Sequence, residues 1–279
     1  MKKIVTGVVS ALFAGSMSAA ALAADLPSRR APAAAEPAPM FVDSYQPFQI
    51  RLKATAVIPD GKSAMYDRLG VLNGLASFGP GSQLVGYGAK PSISVIPEVD
   101  LAYYFNRNFA VETICCISHH DIKGSGFLSG ANIGSAWVIP ATVLFQYHFT
   151  NFGAFQPYVG VGPNFNLWLG EKGGNTLNAA YLPLAGIMAP GGVAVTDLKI
   201  KNNFGIAGQI GFDYMINQNW GINVDLKRYL MRPTAYATVW SPAVGFIPVR
   251  AKVNVDPWLV SAGLTYRFGG ASGGVVAKY

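Results

Sequence analysis

Residues 253–268 read VNVDPWLVSAGLTYRF, and this stretch decides the fold. Counting back in twos from Phe268 collects Tyr266, Leu264, Ala262, Val260 and Trp258. The intervening set is Arg267, Thr265, Gly263, Ser261 and Leu259. One face is apolar with aromatics at its ends, and the other is mostly polar or small. Alternation at period two means a β-strand with unlike faces. The run is long enough to cross a bilayer, which takes about 9–11 residues when tilted, whereas strands of soluble domains average about 5–6. Aromatics ending the apolar face fit the interfacial girdles of membrane barrels. The stretch therefore predicts a transmembrane β-strand.

The same pattern recurs upstream. Trp220, Ile222, Val224 and Leu226 alternate with Asn223, Asp225 and Lys227, and a longer run from Ile200 to Ile216 precedes them. Phe155–Phe165 and Trp137–Phe149 flank the turn at Thr150–Gly153, and runs from Ile93 to Phe105 and from Phe109 to Ile117 flank Asn106–Asn108. A first run, from Pro47 to about Ile58, alternates Phe48, Ile50 and Leu52 with Gln49, Arg51 and Lys53. Eight strands result, joined alternately by tight turns and by long loops, two Gly- and Ser-rich at about 58–91 and 119–135 and two with apolar stretches at about 170–197 and 232–250. Even strand number, short turns at one end and long loops at the other predict an all-β, eight-stranded antiparallel transmembrane barrel with periplasmic turns and extracellular loops. Closure removes sheet edges that lipid cannot satisfy. Pro97, Pro140, Pro157 and Pro163 strain this reading, because proline is normally excluded from paired strand interiors and requires bulges or strand ends.

Composition agrees. The 279 residues are 51% hydrophobic and only 13% charged, with a mean hydropathy of +0.30, against about 25% charged residues in soluble domains. No apolar run long enough for a membrane helix follows residue 23. The chain opens with Lys2 and Lys3, an apolar segment from Ile4 to Met17, and Ala21-Leu22-Ala23, which predicts a signal peptide over 1–23. No cysteine follows the cleavage point to carry a lipid. Residues 24–46, rich in Ala and Pro, read as an extended linker. The barrel is expected over 47–268, and 269–279 form a tail.

The net charge is +7, with the basic residues scattered along the chain. No stripe for nucleic acid is visible, and the excess is weak evidence for anionic lipid headgroups or acidic solutes. Asp60-Gly61-Lys62-Ser63 resembles the end of a phosphate-binding loop, but the earlier glycine is replaced by Ala56 and no helix pattern follows. Metal-ligand spacings and cofactor motifs are absent. The adjacent Cys115 and Cys116 point to opposite faces of a strand, which disfavours a disulfide, and are expected as free, buried thiols.

The segments PFQIRLKATAVIP, IPEVDLAYYFNRNFAVE, IPATVLFQYHF, FQPYVGVGPNF, NNFGIAGQIGFDYMINQNWGINVDLKRY and VDPWLVSAGLTYRF together resemble the outer-membrane protein W family, from about Phe48 to Phe268. The resemblance implies a narrow, partly apolar barrel in the outer membrane of a Gram-negative bacterium, concerned with small hydrophobic molecules and assembled by the barrel-assembly machinery. Family members usually stop at the final aromatic, the assembly signal that Tyr266 and Phe268 would supply. Here GGASGGVVAKY continues, so either a tail is tolerated or Tyr279 substitutes. The Pro- and Ala-rich linker looks like α-proteobacterial outer-membrane proteins.

Parity assigns Arg51, Lys53, Glu98, Asp100, Glu112, Gln146, Gln156, Gln209, Asp213, Asp225, Lys227 and Arg267 to the lumen. An eight-strand interior is just wide enough for side chains to fill, so cross-barrel ion pairs are expected, with Lys53 and Asp100 at similar heights. Above them, Tyr181, Leu182, Leu184, Ile187, Met188, Trp240, Val244, Phe246 and Ile247 are candidates for an apolar funnel at the outer mouth. A polar plug below such a funnel would direct a solute sideways into the membrane. The same loops could instead pack on one another or on lipopolysaccharide acyl chains. A structural or adhesive role with no flux is the competing reading. Ser118, His119, His120 and Asp121 form the one cluster suggestive of catalysis or metal binding, but adjacent histidines on extended chain diverge and no second-strand partner is evident. An enzyme is not expected.

Overall fold

The computed structural model describes residues 45–68, 80–126, 128–175, 181–184, 187–190, 194–242 and 245–270. The segment expected as a signal peptide, all but the last two residues of the expected linker, and residues 271–279, Tyr279 included, lie outside them, as does Val244. Among the described residues seventeen strands follow one another. The first six are β1 (Phe48–Ile58), β2 (Lys62–Asp67), β3 (Gln83–Leu84), β4 (Tyr87–Pro91), β5 (Ser94–Tyr104) and β6 (Phe109–Cys115). Next come β7 (Ser118–Gly126), β8 (Asn132–His148), β9 (Phe155–Gly173), β10 (Tyr181–Leu184), β11 (Ile187–Pro190) and β12 (Ala194–Ile200). The last are β13 (Asn203–Met215), β14 (Trp220–Leu230), β15 (Thr234–Ser241), β16 (Gly245–Asn254) and β17 (Trp258–Phe268). Among the described residues no helix is long and apolar enough to cross a membrane, and the crossing is made by strands.

Eight of these strands close a ring in the order β1-β5-β6-β8-β9-β13-β14-β17, all antiparallel. The β1–β17 ladder runs in unbroken register from Phe48↔Phe268 to Ile58↔Trp258, joining the first and last strands. Gly263 permits that closure: a Cβ there would lie 2.0 Å from the Leu52 carbonyl oxygen. Parity then segregates the side chains. On β1, Gln49, Arg51, Lys53 and Thr55 are buried, whereas Leu52 and Phe48 face outward. Leu101, Phe145, Val161, Ile210, Ile222 and Leu264 continue the outward apolar band. The segregation is physically required, since a basic residue on the lipid face near the midplane costs about 2–4 kcal/mol. Aromatic contacts ring the short-turn end, among them Phe48–Phe268, Tyr103–Phe105, Tyr147–Phe149 and Trp220–Tyr266. His119–Trp137 and Phe165–Phe204 mark the opposite border.

The four prolines sit where ladders lapse. Pro97 pairs with β1 alone, because β5–β6 pairing begins only at Val99↔Cys115. Pro140 lies opposite the break between β6 and β7. Pro157 lies beyond the last β8–β9 pair, His148↔Tyr158, and Pro163 falls where that ladder is interrupted between Thr142 and Phe145.

The long connections differ from the irregular loops expected. They are largely strands that prolong the barrel wall above the membrane. Over one half of the circumference β2, β16, β15 and β12 continue β1, β17, β14 and β13 as a sheet of order β12-β15-β16-β2-β3. Over the other half β7, paired with β4, and the upper parts of β8 and β9 do the same. Their sequences alternate too: Ala235, Ala237 and Val239 face inward between Tyr236 and Thr238. The cysteine expectation is half corrected. Both thiols are free and their side chains oppose, but Cys115 is exposed on the lipid side and only Cys116 is buried.

Candidate functional site

The membrane-spanning lumen is filled by a network of ion pairs. Arg51 grips Asp213 through two nitrogens, at 3.2 and 2.8 Å, and also meets Glu112. Lys53 reaches Glu98 at 2.9 Å and Asp225 at 2.6 Å, and touches Asp100. Lys227 reaches Glu98 at 2.7 Å and Asp225 at 2.9 Å, and Arg267 reaches Asp213 at 3.3 Å. Gln146 donates to Gln209, which donates to Glu112 and Asp225. Gln156 is buried near the short-turn end with one amide oxygen unpartnered. All twelve lumen candidates therefore face inward, and the ionic ones are brought into one layer. Neutral residues of the same parity complete it: Gln49 donates to Asp213, Asn223 donates to Tyr158 and Asp213, and Tyr104 donates to Gln49. Glu98, Asp100 and Asp225 converge closely enough to resemble a cation site, but the Lys53 and Lys227 ammonium groups already occupy their centre. Such a layer is a plug: opening it would strand buried charges.

Above the plug the chemistry changes. An apolar cavity of about 80 Å³ lies inside the prolonged wall, bounded by Met65, Leu84, Leu128, Ile133, Val195, Leu198, Ile247 and Val249, with His120 and Trp168 at one end. A second space of about 30 Å³ adjoins it, sharing Pro91, His120, Trp168 and Val255 and reaching down to Ile96, Cys116, Tyr229 and Leu259. The two spaces share these four wall residues, and the lower one lies on the extracellular side of the charged layer, Ile96 standing two residues above Glu98 on β5 and Tyr229 two above Lys227 on β14. At the neck His120 Nδ1 donates to the Ser92 carbonyl at 2.8 Å, which leaves Nε2 to accept from the Ser118 hydroxyl at 3.0 Å. Burial above the aromatic border holds the His120 imidazole below its ordinary pKa, so it lines the neck uncharged. His119 points away and packs on Trp137 at 4.8 Å. Of the four-residue cluster, then, Ser118 and His120 meet, and Ser92 is the second-segment partner that sequence reading missed.

The mouth candidates divide. Ile247 is buried on the cavity wall. Phe246, at 63% exposure, occupies the opposite face, where Trp240 is its cross-strand partner. One residue of offset on a strand reverses the face, which corrects the assignment of Phe246 and Trp240 to the funnel. Tyr181, Leu182, Leu184, Ile187 and Met188 belong to the separate β10–β11 hairpin, and their side chains, like Val244, lie outside the described structure. Met65, Leu84, Leu128, Val195 and Leu198, which do line the cavity, come from the first three long connections, and the fourth adds Val249 beside Ile247. Only their short alternating runs signal them.

The wall beside the lower space is incomplete. Ser94–Glu98 of β5 pair with β1 but not with β6 or β7, whose own ladders to β8 lapse between Ile114↔Thr142 and Ser118↔Val138. Ile96 and Cys116 face the space across this seam, and Val95, Pro97 and Ile117 face outward.

A family model described as the OmpW family matches residues 47–268. An uncharacterized outer-membrane protein, y4mB, of Sinorhizobium fredii is 35% identical over 93% of this chain and 95% of its own length. Outer membrane protein W of Vibrio cholerae is 26% identical over 85% and 95%. The crystal structure of OprG from Pseudomonas aeruginosa superposes with a TM-score of 0.65 at 24% identity, covering 81% of this chain and 98% of that one. With an eight-stranded barrel closed around a charged lumen and this match over the whole of it, the chain belongs to the OmpW family of outer-membrane proteins.

Proposed function

We propose that the protein admits small hydrophobic molecules from the cell exterior into the apolar cavity and releases them sideways into the outer membrane. The observation that carries this is the adjacency of two apolar spaces, sharing four wall residues, above an ion-paired plug and beside an unpaired seam. Straight passage would bring an apolar solute against fully buried charges, whereas the unpaired seam faces hydrocarbon. The upper space is smaller than the roughly 150 Å³ that holds benzene in an engineered cavity. Entry therefore requires side chains to move, and the adaptable Met65 lies on the wall. Ser118 and His120 supply a single polar station at the neck, suited to reading one hydroxyl or carbonyl on an otherwise apolar solute.

The test uses refolded chain in vesicles whose outer leaflet carries lipopolysaccharide, with uptake of a fluorescent apolar probe as the readout. Val249→Asp places a charge on the cavity wall and should abolish uptake in protein that retains its folded gel mobility. Phe246→Asp, on the outer face, should leave it unchanged. Wild-type uptake by folded Val249→Asp would refute the route. No uptake by any form would instead favour a structural or interaction role, the reading that a plugged lumen also supports.

A further inference from the structure

The cations that are scattered in sequence are gathered by the fold. On the outward face of the sheet β12-β15-β16-β2-β3, the row Tyr66↔Arg250↔Tyr236↔Lys199 runs across four strands, with Ala64↔Lys252↔Thr234 in the row below. Lys201 extends the lower row beside Thr234, Lys62 lies one step below it opposite Asn254, and Arg68 lies above. Arg68 and Lys201 lie over the Tyr236 ring at 5.2 and 5.3 Å, and Arg250 and Lys252 over the Tyr66 ring at 5.4 and 5.8 Å. Tyr66, Arg68, Gly81, Tyr236 and Arg250, with the buried Asp67, bound an open depression of about 290 Å³. Asp197 is exposed on this face, and Asp60, at its lower edge, is exposed and pairs with Arg228 at 3.6 Å.

The position identifies the partner. This face is the upward continuation of the lipid-facing barrel wall. Along each strand pair the outward set passes from apolar to basic within a few residues: Ile58 to Lys62, Phe204 to Lys201, Leu230 to Arg232, Trp258 to Lys252. A strand rises about 3.3 Å per residue, so Lys62 stands about 13 Å and Tyr66 about 26 Å along the strand beyond Ile58, the zone that a glycolipid's phosphates and inner sugars occupy. The opposite half of the prolonged wall mixes Lys90, Lys123 and Lys172 with Asp121 and Glu171 and has no such concentration. Arginine pairs offer phosphate bidentate, charge-assisted hydrogen bonds, and tyrosine rings offer sugar rings a flat apolar surface.

We propose that the depression between Tyr66, Arg68, Tyr236 and Arg250 is a binding site for the phosphorylated saccharide headgroup of an outer-leaflet glycolipid. A bound headgroup would fix one half of the barrel in the leaflet, leaving the seam on the β5–β6 side free.

The experiment uses the full mature chain in phosphatidylcholine nanodiscs, titrated with fluorescent lipopolysaccharide truncated to lipid A and inner-core sugars. A dephosphorylated preparation and soluble heparin are the other arms. Tight binding of the phosphorylated glycolipid is expected, weakened about tenfold for each arginine removed in Arg68→Gln and Arg250→Gln, as for loss of a charge-assisted hydrogen bond. Apolar-probe uptake should be unchanged in both variants, so this proposal can fail without the transport reading failing. Equal affinity for the dephosphorylated glycolipid, or unweakened binding by the folded double variant, would overturn it. Heparin binding as tight as the glycolipid's would assign the face to a soluble acidic polysaccharide and overturn it equally.

Discussion

Lys227→Met is the sharpest perturbation of the plug. The Lys227 ammonium lies 2.7 Å from Glu98 and 2.9 Å from Asp225, with all three side chains inaccessible to solvent. Breaking a buried pair from one side costs about 3–5 kcal/mol because the partner's charge is left uncompensated. Lys53 also reaches both carboxylates, at 2.9 and 2.6 Å, so they retain one cation, and the lower end, about 3 kcal/mol, is expected. Asp100→Asn should behave oppositely. The lumen carries Glu98, Asp100, Glu112, Asp213 and Asp225 against Arg51, Lys53, Lys227 and Arg267, one acid in excess. Among the described residues Asp100 has Lys53 as its one ion-pair partner. Neutralising it removes that excess while Lys53 keeps Glu98 and Asp225, so stability should change by less than about 1 kcal/mol. Urea unfolding in lipid vesicles, followed by tryptophan fluorescence, compares the two variants. Adding Glu98→Gln to Lys227→Met should recover part of the loss, because it removes one of the uncompensated charges. If Asp100→Asn costs as much as Lys227→Met, or Lys227→Met costs under about 1 kcal/mol, the charge-balance account of the plug is wrong.

Two further outcomes follow from the wall. Gly263→Ala would drive a methyl into the Leu52 carbonyl and within 2.6 Å of the Lys53 Cα. It should cost more than about 2 kcal/mol or prevent closure, seen as loss of the folded form on unheated gels. A wild-type melting profile would show that the β1–β17 approach is looser than described. A bilayer-dissolved apolar maleimide should label Cys115 and spare Cys116, as mass spectrometry of tryptic fragments would report. Comparable labelling of both would contradict their assignment to opposite faces.

The barrel was legible because its physics is local. Lipid forces every outward residue of residues 258–268 or 48–58 to be apolar or small, so parity alone sorts Leu52 from Lys53 and Leu264 from Thr265. The same parity placed Arg51, Asp213 and Asp225 in the lumen, though it could not say which carboxylate each cation would choose. That depends on how far each strand is staggered around the ring. The outer lobe was less legible. Its strands meet partners far off in sequence, as when Met65 pairs with Ala251 and Leu84, and no lipid demands a uniform outward face. Tyr66 and Arg250 can therefore share a polar side while Phe246 lies on it too. Hydrophobicity picked out Phe246 and Trp240, but only the register of β15 and β16 shows that Ile247 takes the inside. The basic face was invisible for the same reason, since its members come from Lys62 to Lys252.

Sideways release is tested most directly at the seam itself, where Cys115 stands on the lipid side at the last β5–β6 pair. A nitroxide attached to Cys115 would quench a fluorescent apolar solute as it emerges. The control carries the label at Ile210→Cys in a Cys115→Ser background, on β13 across the ring. Release through the seam predicts early quenching from Cys115 and delayed, weaker quenching from position 210. Equal and simultaneous quenching at both positions, or none at Cys115 while uptake proceeds, would contradict it.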